Sequence, residues 1–295
     1  MSQKMLIIGG TSLVGSTLIE YASKNYQIYV TEHDTPFSNP KIQSIKIDLL
    51  KERKKIIEYI EKIKPAYVIH TVAFPNVDFC ETHNELADLL HVDVTRDIVK
   101  VCKEIDSKLV YFSTDAVFDG TKNDKYSEHD NTNPLSYYGK TKLAAEKIII
   151  NDNDKNTILR TTVIYGWHKR SRFTNWVIDN LQNNNTVSAF TDQYNTPTLV
   201  DDLSKMILEI LERELSGIYH ASGKTCLNRY DFALKLAEKF GLDQKLVVPT
   251  LSSQNLQLAP RPKNGCLDST KLEKLAEIEF SDIDSGISYM HSKSK

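Results

Sequence analysis

The hydrophobic positions in the first half of the chain form short apolar runs, most of which are separated by longer amphipathic segments. Such runs are typical of parallel strands buried on both faces, and the segments have the spacing of helices. Their alternation predicts an α/β fold with a doubly wound parallel sheet and right-handed crossovers. The apolar runs lie within Lys4–Ile8, Ile28–Thr31, Ile45–Ile47, Ala66–His70, Lys108–Gly120 and Thr157–Gly166.

The pattern changes after Gly166, where the helices and strands become shorter and less regular. We expect residues 1–165 to form one α/β domain that parts of 186–222 complete, and residues 166–295 to form a small region interleaved with it. Asn228 is a suitable cap for a helix, because its side-chain oxygen can accept a backbone N–H. The predicted elements are helices at Thr174–Gln182, Val200–Leu211 and Asn228–Phe240 and strands at Val187–Phe190 and Gly217–Ser222.

The composition of the 295 residues argues against two classes of partner. Lys and Arg number 37 and Asp and Glu number 39, and the net charge of −2 gives no electrostatic basis for binding nucleic acid or an anionic membrane. No apolar stretch approaches the length of a membrane span, and the run Met5–Ile8 is too short for a signal peptide. We therefore expect a cytoplasmic protein.

The four cysteines show neither a C-x-x-C motif nor the spacing of a zinc site. Buried reduced thiols are the expected state, ahead of a catalytic or metal-binding role. The cysteines are Cys80, Cys102, Cys226 and Cys266.

A glycine-rich turn follows the first apolar run, with Gly9 and Gly15 near its ends, and a helical pattern follows the turn. A strand, such a turn and a helix N-terminus together suit the pyrophosphate of a dinucleotide, because glycines let the backbone approach and the helix offers free N–H groups. Ser12 stands where a middle glycine is usual and adds a hydroxyl that could itself bond phosphate. The segment predicts a dinucleotide-binding site.

The residues after the second apolar run bear on the type of cofactor. An acidic residue about 20 positions beyond the glycines binds the ribose hydroxyls of NAD, whereas the 2′-phosphate of NADP requires a cation. Glu32 favours NAD, His33 weakens that preference, and no Arg is near in the sequence. The choice between NAD and NADP therefore stays open.

Tyr138 and Lys142 are four residues apart and share one face of the helix predicted for their segment. An ammonium beside a phenol lowers the pKa of the phenol, which makes a tyrosine usable in proton transfer nearer neutrality. The preceding strand ends at Thr114 and Asp115, and functional groups gather at the carboxyl ends of parallel strands. These four side chains are the candidate reactive centre.

Together these motifs resemble the extended short-chain dehydrogenase/reductase superfamily, and within it the dTDP-4-dehydrorhamnose reductases. The resemblance covers nearly the whole chain and implies a Rossmann-type fold with a small C-terminal substrate-binding region. It implies that Tyr138 gives a proton to a carbonyl oxygen of a nucleotide sugar while NADP or NAD supplies hydride. It further implies that Thr114 holds this oxygen and that Lys142 lowers the pKa of Tyr138 and binds the nicotinamide ribose.

Two further sets of contacts follow from the resemblance alone. The cofactor-binding set comprises Gly9, Thr11, Ser12, Leu13, Val14, Gly15, Glu32, His33, Asp48, Leu49, Thr71, Val72, Ala73, Ser113, Tyr138, Lys142 and Thr161. The substrate-binding set comprises Asp115, Ala116, Phe118, Val163 and Arg261. In this set Arg261 would lie beside the nucleotide diphosphate, for which a guanidinium has a suitable shape.

Besides Ser12, three positions depart from the pattern of the resembled proteins. Ala116 stands where related 4,6-dehydratases carry Glu, the base of water elimination, and where the reductases carry Tyr. Val163 stands where the reductases carry Trp, so we predict a changed or widened sugar pocket and hypothesise that the substrate is not the dTDP-rhamnose precursor. His91 stands where the superfamily usually has Asn, and we expect a hydrogen-bonded helix residue rather than a catalytic base.

Two other functions are compatible with the resemblance. One is a sugar-nucleotide epimerase of the same fold, against which the short C-terminal half argues. The other is a non-catalytic, NADP-binding regulatory subunit that resembles the one of methionine adenosyltransferase. The superfamily also implies a homodimer through helices near Asn84–Ile105 and Leu135–Ile150 and leaves open a Mg²⁺ ion at a subunit contact, although no cluster of metal ligands stands out.

Overall fold

The computed structural model describes residues 2–152, 154–254 and 257–295. The strands are β1 (Lys4–Ile8), β2 (Gln27–Glu32), β3 (Gln43–Lys46), β4 (Tyr67–His70), β5 (Lys108–Thr114), β6 (Thr157–Thr161), β7 (Ile164–Tyr165), β8 (Val187–Phe190), β9 (Tyr194–Asn195), β10 (Thr198–Leu199), β11 (Gly217–His220), β12 (Leu227–Asn228), β13 (Val247–Thr250) and β14 (Asn264–Gly265). The helices are α1 (Leu13–Ala22), α2 (Arg53–Ile63), α3 (Val77–Thr82), α4 (Asn84–Asp88), α5 (Val94–Glu104), α6 (Tyr137–Asp152), α7 (Arg172–Gln182), α8 (Val200–Glu212), α9 (Arg229–Lys239), α10 (Thr270–Ala276) and α11 (Ile283–Ser292). Among these helices, none has both the length and the hydropathy to cross a membrane.

Within the described residues, seven strands form one parallel sheet in the order β11-β6-β5-β4-β1-β2-β3. β1 pairs with β2 on one side and with β4 on the other. The sheet is therefore built outward in one direction from β1 to β3 and in the opposite direction from β4 to β6 and β11. The connections leave the carboxyl ends of β1 and β4 in opposite directions, which opens a crevice for a ligand. The Rossmann-type doubly wound sheet predicted from the sequence is confirmed.

Buried clusters cover both faces of this sheet. Alternate residues of β1 contribute to both clusters, with Met5 and Ile7 on one face and Leu6 and Ile8 on the other. α1, α8 and α10 pack on the first face, and α2, α5 and α6 pack on the second. Because a fully buried aliphatic side chain contributes roughly 1.5–3 kcal/mol, both faces of each central strand gain from apolar residues. This explains why the strands read as continuous apolar runs.

The second half of the chain, as far as it is described, adds three small sheets and another buried cluster. β7 pairs with β10, β8 pairs with β13, and β9 lies between β12 and β14. α7, α9 and α11 contribute to the same cluster. β11 belongs instead to the main sheet, where it pairs with β6. The division of the chain into two regions stays a prediction.

The cysteines correct one expectation. Cys226 and Cys266 form a disulfide, with 5.6 Å between their Cα atoms, whereas Cys80 and Cys102 are buried thiols. β12 runs antiparallel to β9 and β14 runs parallel to it, which brings the residue before β12 and the residue after β14 to the same end of β9. Local spacing carries no information on a pair that strands bring together from 40 residues apart.

The helix predicted near Asn84–Ile105 contains a change in its winding. α4 and α5 are joined by a π-helical turn at Leu89–Asp93, and His91 is buried within this turn. Turns of this kind inside α-helices are frequent at functional sites. The π-turn therefore directs attention to the surroundings of His91.

Candidate active site

The glycine-rich turn after β1 depends on two glycines. Gly9 has a φ of 93°, which glycine adopts readily, and a Cβ at Gly15 would lie 2.3 Å from the carbonyl oxygen of Gly9. Ser12 caps α1, since its Oγ accepts the Gly15 N–H at 2.9 Å, and the same oxygen lies 3.0 Å from Thr71 Oγ1. The hydroxyl that could have bonded phosphate is already shared between two groups of the chain.

A cavity of about 720 Å³ lies beyond this turn, along the carboxyl ends of β1, β2 and β4. It occupies the point at which the strand order reverses, where open α/β sheets bind their ligands. The predicted cofactor contacts that line it are Gly9, Thr11, Ser12, Leu13, Val14, Glu32, His33, Asp48, Leu49, Thr71, Val72 and Ala73. The predicted contacts outside this lining are Gly15, Ser113, Tyr138, Lys142 and Thr161.

Carboxylates near the ends of β2 and β3 already have partners within the chain. Glu32 accepts the N–H of Phe37, five residues further on. His33 Nδ1 lies 3.1 Å from Asp34 Oδ1, and His33 Nε2 lies 3.7 Å from Asp48 Oδ2. These carboxylates are therefore engaged before any ligand binds.

A basic loop of residues 167–172, called the clasp below, bridges the two sides of the cavity. Its contacts are His168 Nε2 with Ser16 Oγ at 3.1 Å, Arg170 Nη2 with Thr35 Oγ1 at 2.5 Å and Arg172 Nη1 with the Pro75 carbonyl at 2.9 Å. Thr35 follows β2 and Pro75 follows β4, which flank β1 on opposite sides. Sequence reasoning missed the clasp, for which a run of basic residues was the only signal.

β5 positions Thr114 and α6 positions Tyr138 at the candidate reactive centre. Thr114 Oγ1 donates to Asp115 Oδ1 at 3.0 Å. α6 begins at Tyr137, whose N–H donates to Glu81 Oε2 at 2.8 Å, and a carboxylate at the positive end of the helix dipole stabilises this start. Thr114 and Tyr138 are then close enough for a hydrogen bond between their hydroxyls.

The protonation of Tyr138 differs from the expectation. Burial raises the pKa of Tyr138 well above its ordinary value, the Asp115 carboxylate raises it further, and a hydrogen bond between the hydroxyls of Tyr138 and Thr114 opposes the shift. Lys142 Nζ lies 4.0 Å from the centre of the Tyr111 ring, and burial lowers the pKa of Lys142 to about 7. The predicted lowering of the Tyr138 pKa is therefore wrong for this structure, because burial and the Asp115 carboxylate both raise it. The phenol is neutral at physiological pH, which is the form that donates a proton.

His91 connects Tyr138 to the cavity. The two rings meet edge to face with 5.6 Å between their centres. His91 Nε2 accepts the N–H of Phe74, a cavity residue, at 2.9 Å, and its Nδ1 lies 2.8 Å from Thr141 Oγ1. Burial lowers the pKa of His91 to about 2. His91 is thus a neutral, hydrogen-bonded residue, as expected, and it sets the position of Tyr138 relative to the cavity.

Some predicted contacts lie in the core. Ser113 Oγ donates to Glu146, which also accepts bonds from Arg160 Nε at 3.0 Å and Nη2 at 2.7 Å. The hydroxyl of Thr161 is buried as well. Phe118 is 0% exposed and belongs to a buried cluster, so its contact with substrate stays a prediction without support from its position. A position at the end of a strand does not reveal which face the side chain takes.

A cluster of polar and charged side chains, called the polar group below, surrounds Asp115 on the side away from Thr114. Asp115 Oδ2 accepts bonds from Thr162 Oγ1 at 2.8 Å and from Asn195 Nδ2 at 2.7 Å. Burial lowers the pKa of Arg229 to about 10; the Asp115 carboxylate opposes this shift and the Arg261 guanidinium adds to it. Arg229 was missed because the sequence pattern assigns it only to the start of an amphipathic helix.

The remaining predicted substrate contacts border this group. Arg261 Nη1 donates to Asp78 Oδ1 at 2.9 Å, so the guanidinium is held in place before a substrate arrives. Ala116 is partly buried, and its N–H donates to Thr114 Oγ1 at 3.1 Å. Val163 has a φ of 43°, which a β-branched residue rarely adopts, and such strain clusters at functional sites.

Within the described ranges no group of three or more His, Cys, Asp or Glu side chains is arranged to hold a metal ion, so Mg²⁺ gains no support.

The chain is similar over most of its length to several proteins. A family model described as RmlD substrate binding domain matches residues 3–294. Methionine adenosyltransferase 2 subunit beta from Xenopus laevis is 32% identical over 284 residues, which are 93% of this chain and 83% of that protein. A probable low-salt glycan biosynthesis reductase from Haloferax volcanii is 30% identical over 275 residues, which are 90% of each protein.

The fold agrees with these similarities. The crystal structure of dTDP-4-dehydrorhamnose reductase from Bacillus anthracis str. Ames in complex with NADP has a TM-score of 0.89 and 25% sequence identity, covering 99% of this chain and 100% of that chain. The resemblance to these reductases that the motifs indicate is therefore confirmed. On sequence and fold together, the chain belongs to the RmlD substrate binding domain family.

Proposed function

We propose that this protein is an NAD(P)H-dependent reductase of a nucleotide-linked sugar, with 4-keto-6-deoxy sugars as the substrate class. The observation that carries the proposal is that Tyr138 lies against Thr114 and against His91, and that His91 in turn bonds Phe74, which lines the cavity bordered by a dinucleotide-type turn. The similarity to the dTDP-4-dehydrorhamnose reductase of Bacillus anthracis and to the probable reductase of Haloferax volcanii supports an oxidoreductase activity for this protein.

The side chains suit proton donation during reduction. Bound NAD(P)H supplies a hydride. Tyr138 is neutral because its pKa is raised, and it donates its phenolic proton to the carbonyl oxygen that becomes a hydroxyl. Thr114 holds that oxygen by a hydrogen bond. Lys142, one helical turn after Tyr138, stabilises by its positive charge the tyrosinate that remains.

The polar group around Asp115 suits a sugar nucleotide. Arg229 and Arg261 supply two guanidinium groups, which match the charge and geometry of a diphosphate. Ala116 offers no base for water elimination, so dehydration is not expected. Ala116 and Val163 leave room for a bulkier or differently substituted sugar, and we infer a substrate other than the dTDP-rhamnose precursor.

The test follows the loss of NADH and NADPH absorbance with freshly made dTDP-4-keto-6-deoxy-L-sugar and with other nucleotide-linked 4-keto-6-deoxy sugars. Tyr138→Phe removes the proton donor and keeps the ring, so turnover should fall by about 10²–10⁴-fold. Tyr137→Phe is the matched control, because that hydroxyl bonds Asp88 at 2.6 Å instead. Full activity of Tyr138→Phe would refute its role, and efficient reduction of the dTDP-rhamnose precursor would refute the changed specificity.

A partner-binding role is the second candidate, and the methionine adenosyltransferase relative favours it. In this second role the protein would bind a dinucleotide and a partner without turnover. The two candidates separate when cofactor binding and reduction are measured on the same preparation. Tight cofactor binding without reduction of any sugar nucleotide, together with a complex with a methionine adenosyltransferase catalytic subunit in analytical ultracentrifugation, would establish the second candidate.

A further inference from the structure

We propose that Arg170 of the clasp binds the 2′-phosphate of NADP(H), and that the protein therefore prefers NADPH to NADH. The inference rests on the proposed function only in requiring a dinucleotide in the cavity. It concerns the end of the cavity formed after β2. A ribose lies at that end when the turn after β1 binds the pyrophosphate.

Glu32 is poorly placed to select NAD. An acidic residue at the end of the second strand selects NAD by accepting hydrogen bonds from the ribose hydroxyls. One carboxylate oxygen of Glu32 already accepts the Phe37 N–H, which holds the side chain against the segment that follows β2. The acidic residue that favours NAD in the sequence is thus partly engaged by the backbone of its own chain.

Arg170 brings a cation to the same place from a distant part of the chain. Its Nη2 donates to Thr35 Oγ1 at 2.5 Å, and Thr35 lies three residues after Glu32. The two bonded residues are 135 positions apart, so no local motif reveals the contact. Arg170 and its neighbour Lys169 both line the cavity.

Within the part of the chain that the structure describes, the guanidinium of Arg170 has no carboxylate in salt-bridge contact. Its hydrogen-bond partner Thr35 is neutral. Among residues 2–152, 154–254 and 257–295, Asp34 and Asp48 at this end of the cavity contact His33, Asp48 also pairs with Lys51, and no ion pair includes Arg170. The nearby carboxylates therefore have their own partners, whereas an exposed guanidinium at the cavity is available for an anion.

A phosphate monoester is the anion that this guanidinium suits. Arg can donate two parallel hydrogen bonds to phosphate oxygens, and each bond is strengthened by charge. The ribose hydroxyl that NAD presents at the same position is neutral and gains less from a cation. When a phosphate binds, Arg170 replaces a neutral acceptor, Thr35 Oγ1, by a charged one.

Arg172 offers a matched control on the same clasp. It lines the same cavity, but its Nη1 donates to the Pro75 carbonyl on the β4 side. Removal of Arg172 loosens the clasp without changing the charge on the β2 side. The ratio of the affinities for NADPH and NADH therefore distinguishes phosphate recognition by Arg170 from a general role of the clasp in cofactor binding.

The affinities of NADPH and NADH are measured by fluorescence titration of the wild type, Arg170→Ala, Arg170→Lys and Arg172→Ala. We expect the wild type to bind NADPH about tenfold or more tightly than NADH, Arg170→Ala to lose this ratio through weaker NADPH binding, and Arg170→Lys to keep part of it. Arg172→Ala should weaken both cofactors alike. Adenosine 2′,5′-bisphosphate should displace the cofactor better than AMP in the wild type but not in Arg170→Ala.

Equal affinity of the wild type for the two cofactors would overturn this assignment and leave the proposed reductase standing. An unchanged ratio in Arg170→Ala would do the same. Failure of both cofactors to bind the wild type would overturn the proposed function as well. Arg170 is exposed, so its variants should fold, and thermal unfolding checks this before the titrations.

Discussion

At the residue scale, Lys142 carries a charge that burial makes costly. Its pKa of about 7 lies below the ordinary value of 10.5, so between these values the folded protein binds fewer protons than the unfolded chain. The free energy of unfolding should therefore rise with pH across this window. Lys142→Met should lack this pH-dependent contribution. Urea unfolding between about pH 6.5 and 9.5 measures the free energy of unfolding of both proteins. The free energy of the wild type minus that of Lys142→Met should increase as pH rises.

A difference that stays constant over this range would contradict the pKa assigned to Lys142. Burial also lowers the pKa of Lys108, to about 8, so the wild type alone would not isolate one residue. Because Lys108 is present in both proteins, its effect cancels in the comparison.

Arg229 is the residue for which we expect an effect on substrate affinity. Its guanidinium lies 5.1 Å from the centre of the Phe173 ring, which orients it, and it shares its surroundings with Arg261. A diphosphate would relieve the repulsion between the two cations, so Arg229→Ala should raise KM for the sugar nucleotide about tenfold and change kcat little. Steady-state kinetics with Lys239→Ala, an exposed cation of the same helix, provides the comparison. A fall in kcat at unchanged KM would argue against this role.

At the element scale, the contact of α6 with the turn after β5 determines where Tyr138 stands. A Cβ at Gly139 would lie 2.2 Å from the carbonyl oxygen of Ala116, so Gly139→Ala must move the helix away from the turn. A displacement of about 1 Å can reduce turnover roughly a hundredfold, and we expect a loss of this order in kcat while cofactor affinity is kept. Ala144→Gly controls for a change in helix propensity on the same helix, and wild-type kcat in Gly139→Ala would exclude this role of the contact.

Elements were predictable where the hydrophobic pattern and local chemistry agree. The strand Val187–Phe190 and the cap Asn228 are found as predicted. The π-turn was not predictable, because it accompanies a bond from the Phe74 backbone to His91 that depends on tertiary packing. Tyr138 and Thr114 are recognisable from their positions on a helix and at a strand end. Arg170 is not, because the residue it contacts is distant in the sequence.

At the scale of the whole molecule, the disulfide between Cys226 and Cys266 joins the segment before α9 to the segment after Arg261. It closes a loop with a sequence separation of 40, for which loop-closure entropy gives a contribution of about 4 kcal/mol. The double variant Cys226→Ser/Cys266→Ser should lose about 2–4 kcal/mol in the free energy of unfolding. Denaturant unfolding measures the loss.

The same titration in dithiothreitol provides the control. Reduction should lower the unfolding midpoint of the wild type toward that of the double variant and leave the double variant unchanged. A midpoint of the wild type that does not respond to complete reduction would contradict a stabilising role for the disulfide.

The topology of the sheet was predictable because strand and helix periodicities are local and parallel strands connect in a right-handed sense. Most of the predicted cofactor contacts line the cavity for the same reason, since the turns that carry them follow strands directly. The clasp and the disulfide required the fold itself. Both join segments whose meeting depends on how the second half of the chain returns to the sheet.

The core on the first face of the sheet has a consequence for synthesis on the ribosome. It joins Met5 and Ile7 with Leu272 and Phe280, which are translated far later. At about 5–20 residues per second, roughly 15–50 seconds pass between the synthesis of β1 and that of α10, the last helix to cover this face. Nascent chains that end before α10 should therefore be sensitive to protease and bind chaperones, and both properties should disappear once α10 has left the exit tunnel.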